Sequence, residues 1–159
     1  MAVSFYDGTS DFYLNDSEFN GPRDKGKLEP VYTKLYELVR NIKPNNIVEL
    51  GVGSGACTVA MARGLQEVNP DGRMIGFDTF DSWGGLRTVY KKLKSRNLND
   101  FIDNMKEGNV FKLWVENPTE FDFLWIDIDN TWRTTYDVVF GNDKILNQIK
   151  AGSPVYIEG

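Results

Sequence analysis

The sequence predicts an α/β domain, a parallel sheet with helices on both faces that ends after its fifth strand. Three observations carry that expectation. Short β-rich runs alternate with stretches of helical period from residue 29 to residue 157, the order that builds parallel sheets. The run 121–128 is apolar at nearly every position, as a strand buried on both faces requires. A hinge of Gly51, Gly53 and Gly55 sits where a strand gives way to a helix.

At 159 residues the chain is long enough for one domain with its own core, and 41% hydrophobic with 26% charged residues is the balance of an ordinary globular protein. A net charge of −5 argues against nucleic acid as a partner, because phosphate neutralisation needs a surplus of Lys and Arg. A small molecule is the expected partner. The single cysteine, Cys57, cannot form an internal disulfide, and the sequence shows no leader pattern and no apolar stretch of membrane-spanning length. A cytoplasmic setting without membrane contact is therefore expected. The chain has no histidine, which removes the commonest general base and the usual zinc ligand together. Chemistry must rest on carboxylates, lysine, tyrosine, Cys57 or a cofactor, and any metal would be a hard ion held by oxygen.

Residues 1–27 are polar and turn-rich with scattered aromatics and read as an arm or lid; residues 28–159 read as the folded domain. Val31, Leu35, Leu38, Val39 and Ile42 keep helical spacing, with Pro30 tolerated in the first turn and Pro44 closing the helix. A strand over 46–50 follows, then a helix over 56–68 whose small residues Ala56, Ala60 and Ala62 permit close packing on a sheet. Asn69-Pro70-Asp71-Gly72 turns the chain into a second strand over 73–77 that ends in Asp78. Leu86, Val89, Tyr90 and Leu93 form the next helical face; Arg87, Lys91, Lys92, Lys94 and Arg96 read as its solvated side in preference to an anion site. Residues 97–120 stay open, since 110–115 fits either a strand or a helical turn ending before Pro118, and the third strand is unplaced. After the strand at 121–128, a helix is expected from Thr134, interrupted at Gly141 and resuming over 143–150. The last strand is 154–157. Its outer edge is expected to be uncovered, and so either to pair with another copy in a homo-oligomer or to belong to a chain cut from a longer protein.

Open parallel sheets bind ligands at the carboxyl ends of their strands. Glu49, Asp78, Asp127, Asp129 and Glu158 all fall there. The turn Gly51-Val52-Gly53-Ser54-Gly55-Ala56 also fits the dinucleotide fingerprint, with Ala56 as its third small residue. Charge separates the two readings. Glu49 would repel the pyrophosphate of a nicotinamide cofactor, and would attract a ligand that carries an ammonium group.

Val48-Glu49-Leu50-Gly51-Val52-Gly53-Ser54-Gly55 resembles the first motif of the class I S-adenosylmethionine-dependent methyltransferases, a family with a Rossmann-like sheet. The resemblance implies a donor site of Glu49, Gly51, Gly53, Ser54, Gly55, Asp78 and Thr79, with Asp78 holding the ribose hydroxyls. Ile75-Gly76-Phe77-Asp78-Thr79-Phe80-Asp81 and Ile126-Asp127-Ile128-Asp129 are similar to the macrocin-type O-methyltransferases, which modify sugars of antibiotics. That likeness implies magnesium at Asp127 and Glu158, and Asp129 as the base that deprotonates an acceptor hydroxyl. The alternative for this acidic pair is that one residue caps the following helix while the other, Asp127, contacts the donor. Gly159 stands where the family pattern has a second acid, and Asn130-Thr131-Trp132-Arg133 replaces a tyrosine-centred segment.

Cys57 reads as a small residue packed on the sheet rather than a reactive thiol. Trp83 either covers the bound ligand or packs within its loop, and Trp132 and Tyr136 either line an acceptor pocket or belong to the core. Two other functions remain open from sequence. They are a nicotinamide-dependent oxidoreductase using the same turn, and a module or fragment that binds the donor without turnover.

Overall fold

The computed structural model describes residues 3–4, 30–82, 84–117, 120–128 and 152–157. A short strand β1 (Val3–Ser4) precedes helix α1 (Pro30–Ile42), and the alternation then runs β2 (Asn46–Leu50), α2 (Ala56–Val68), β3 (Arg73–Asp78) and α3 (Gly85–Lys94). A 3₁₀ turn (Asn99–Phe101) leads into β4 (Ile102–Glu107), followed by α4 (Val110–Glu116), β5 (Phe123–Ile126) and β6 (Val155–Ile157). Every strand pair is parallel, in the order β1-β6-β5-β2-β3-β4. The expected Rossmann-like sheet is what forms.

Side-chain alternation along β2 divides the core between the two faces. Ile47 packs with Leu35 and Val39 of α1, Val59 and Leu65 of α2, and Val89 and Leu93 of α3. Val48 and Leu50 point the other way, toward Val110 and Trp114 of α4 and Phe121. Helices therefore cover both faces, as the two-sided apolar strands require. Glu49 falls on the Ile47 face, a carboxyl placed inside the larger half of the core.

The structure resolves one open reading and corrects one expectation. The unplaced third strand is Ile102–Glu107, and 110–116 is a helix. β4 is the sheet's edge: Met105 is buried while Asp103, Asn104 and Glu107 are exposed, so the apolar signal of a strand is diluted by the charges that blunt an edge. In α4, Val110 and Trp114 are one turn apart on the buried side, and the Asn109 side chain accepts from the Lys112 N–H as an N-cap. The correction concerns β6. Its outer edge is paired with β1 through Val3↔Val155 and Ser4↔Tyr156. Part of the segment read as an arm thus supplies backbone partners to the edge, and the homo-oligomer inferred from an uncovered edge loses that premise. Among the described residues no helix is long and apolar enough to cross a membrane.

Candidate functional site

β2, β3 and β5 end side by side, and the glycine turn leaves the sheet between them. Gly51 donates to the Phe77 carbonyl at 2.8 Å, and Asp127 donates to the Leu50 carbonyl at 2.8 Å. A Cβ on Gly51 would overlap the Asp127 carbonyl group, and its φ of +86° suits glycine alone. This is why the turn opens with glycine: two strand ends pass too closely for a side chain. Gly53 and Gly55 also have positive φ, +52° and +77°, and bring the chain to the first turn of α2.

Asp78, half-buried at the end of β3, holds that turn by its side chain. Its Oδ2 accepts from the Gly53 N–H at 2.8 Å, and its Oδ1 accepts from the Phe80 N–H at 2.6 Å. Each carboxylate oxygen has a second lone pair, so the pair keeps capacity to accept from two adjacent hydroxyls. Phe80 is buried and has φ +53°, a left-handed conformation that strains a bulky residue. The strain lies where the chain must double back to offer its N–H to Asp78. Thr79, between the two, is exposed.

Glu49 is fully buried. Thr58 in the first turn of α2 donates to its Oε2 at 2.6 Å, and among the described residues Oε1 has no hydrogen-bond partner. Burial pushes the carboxyl up to about 8; the Thr58 hydrogen bond opposes the rise, and the charges of Asp127 and Asp78 add to it. At neutral pH the acid is therefore mostly protonated. That alters the charge argument made from sequence: Glu49 does not repel an anion until something ionises it. A ligand ammonium would do so, because a nearby cation favours the carboxylate form.

The structure brings Glu49, Asp78 and Asp127 within electrostatic reach of one another around Gly51, Gly53 and Gly55. Asp127 has an exposed side chain at the exit of β5. Ser54 is half-buried, and its carbonyl accepts from the Lys92 ammonium at 2.7 Å. Asp129, Glu158, Trp83, Trp132 and Tyr136 lie outside the described residues. Among the described residues no group of three His, Cys, Asp or Glu is arranged to hold a metal. Cys57 is buried in the core, as the packing reading expects.

Sequence reasoning missed Thr58, Phe80 and Lys92. A hydroxyl in the first helical turn after a strand-end acid was a usable signal for Thr58. Nothing local marks Phe80 as the N–H that Asp78 collects, and Lys92 was one of several basic residues on a helix that reads as solvated.

No family model and no curated protein matches the sequence. The fold is found again in solved methyltransferase structures. An O-methyltransferase from Bacillus cereus in complex with S-adenosylhomocysteine is 22% identical with a TM-score of 0.64, the match covering 84% of this chain and 58% of that one. The O-methyltransferase TomG from Streptomyces achromogenes, involved in tomaymycin synthesis and in complex with S-adenosylmethionine, is 18% identical with a TM-score of 0.64, covering 89% of this chain and 60% of that one. Cofactor-bound Rv0187 from MTB is 19% identical with a TM-score of 0.64, covering 85% and 57%. The chain has the Rossmann-like fold of the S-adenosylmethionine-dependent methyltransferases, and it spans 57% to 60% of the length of these structures.

Proposed function

We propose that this chain binds S-adenosylmethionine at the ends of β2 and β3 and serves the transfer of its methyl group to a hydroxyl of a small, sugar-like acceptor. The observation that carries the reading is the state of the glycine turn. Its Gly53 N–H is taken by Asp78 and so is not offered to a pyrophosphate, whereas Asp78 retains acceptor capacity beside the turn for ribose hydroxyls. Glu49 Oε1, an acceptor with no described partner, suits the ammonium of the donor's amino-acid end.

The donor supplies an electrophilic methyl on a sulfonium. In this reading the S–CH₃ bond breaks as the O–CH₃ bond forms, and the hydroxyl proton passes to the Asp129 carboxylate. Asp127 with Glu158 would hold magnesium, whose charge would favour the alkoxide; the family likeness to macrocin-type enzymes supports that part. A reducing, cytoplasmic setting suits a sequence with Cys57 as its single cysteine.

Titration calorimetry with S-adenosylhomocysteine and with NAD tests the donor assignment. The first ligand is expected to bind and the second not; the reverse result replaces methyl transfer with hydride chemistry. Turnover of sugar-like acceptors before and after chelation then tests the metal, with loss on chelation and recovery with magnesium expected.

A further inference from the structure

Lys92 lies outside both sequence motifs, on α3. It does not lie with the exposed side of its helix: the side chain is half-buried, and its ammonium donates to the Ser54 carbonyl at 2.7 Å. Among the described residues no carboxylate forms an ion pair with it, so a main-chain carbonyl takes the place of a counter-ion. Burial, with the Arg96 charge adding to it, pushes this lysine below the ordinary lysine range, a cost its hydrogen bond must offset.

The carbonyl it holds is well chosen. Ser54 stands between two glycines with positive φ, Gly53 at +52° and Gly55 at +77°, a segment that would sample many conformations if left alone. Asp78 fixes one peptide of that segment by taking the Gly53 N–H, and Lys92 fixes a following one by donating to the Ser54 carbonyl. Val89, one turn earlier on α3, packs where a Cβ on Gly55 would come within 2.9 Å. So α3 supports the turn at two consecutive positions.

We infer that Lys92 is a positioning residue that orders the glycine turn for the donor from the α3 side, as Asp78 does from the β3 side. The inference rests on the proposed donor site. Ordering the turn before binding removes part of the entropy that binding would otherwise cost.

The test uses the full chain with Lys92→Met, Lys92→Arg and Lys91→Met, the last removing the same charge from an exposed position on the same helix. Lys92→Met should weaken S-adenosylhomocysteine binding about tenfold, Lys92→Arg should recover most of it, and Lys91→Met should leave it unchanged. Amide hydrogen exchange at Gly53 and Gly55 should quicken in Lys92→Met alone. Equal weakening by Lys91→Met would assign the effect to net charge and overturn the inference, as would slow exchange in Lys92→Met. If the unaltered chain does not bind S-adenosylhomocysteine, the donor reading fails by itself, and the exchange rates still decide whether Lys92 orders the turn.

Discussion

Glu49 and Asp78 occupy neighbouring strand ends, and the sequence presents them alike, each an acid closing an apolar run beside the glycine turn. Their surroundings are opposite. Asp78 is half-buried and both of its oxygens receive backbone N–H groups, so its side chain is held by the turn it helps to shape. Glu49 is fully buried, receives one hydroxyl, and is pushed up to about 8. One acid anchors the turn through two backbone amides; the other sits in the core, its carboxyl pushed up by burial. The lesson is that a strand-end carboxylate is defined less by its motif position than by the donors that reach it.

The largest effect is expected where both ends meet. Gly51→Ala sets a methyl against the Asp127 carbonyl and forces alanine to a φ of +86°; a loss of about 4 kcal/mol or more is expected, read as a collapse of the urea midpoint. A near-normal midpoint would show that the β2 and β5 ends can separate freely. Next comes Asp78→Ala, which removes the proposed ribose acceptor and releases the Gly53 and Phe80 amides together. Calorimetry should find S-adenosylhomocysteine binding weaker by about a hundredfold, with cooperative unfolding retained. Affinity within a factor of two of the original would remove Asp78 from the donor site.

Glu49→Gln separates the second acid from the first by pH. Its folded pKa lies above that of the unfolded chain, so between about 4.5 and about 8 the folded state keeps a proton that the unfolded state has lost. Stability should therefore fall as pH rises through that window and level off above it. In Glu49→Gln this dependence should vanish, and a slope unchanged by the substitution would assign the titration to another group. The smallest effect is expected from Thr58→Val. Loss of the hydroxyl should destabilise the fold by about 1 kcal/mol and raise the Glu49 midpoint further, since the Thr58 hydrogen bond lowers it. A midpoint that falls would contradict the assigned hydrogen bond.

How much of this was legible in the sequence depended on how local the signal was. β2 at Asn46–Leu50 and α2 at Ala56–Val68 form where expected, because a strand buried on both faces and a glycine-punctuated helix start are written in adjacent residues. β4 escaped notice because an edge strand with only Met105 fully buried resembles a loop. β1 was unreadable for a different reason: Val3–Ser4 pairs with Val155 and Tyr156 at the far end of the chain, and two residues carry no periodicity. That the glycines, Glu49 and Asp78 come together at the strand ends was legible from their order along the chain. The contacts that fix their states were not, since Thr58, Phe80 and Lys92 reach them only through the packing of α2, the β3 exit turn and α3.

The contrast between the two acids can be tested in one titration. At pH 7 Glu49 is mostly protonated, and an ammonium seated beside it should expel that proton. Calorimetric titration of S-adenosylhomocysteine in buffers of different ionisation enthalpy should thus report release of about one proton on binding, falling to about zero in Glu49→Gln. Binding with no proton released, or with the same release from Glu49→Gln, would contradict the placement of the donor's cationic end at Glu49.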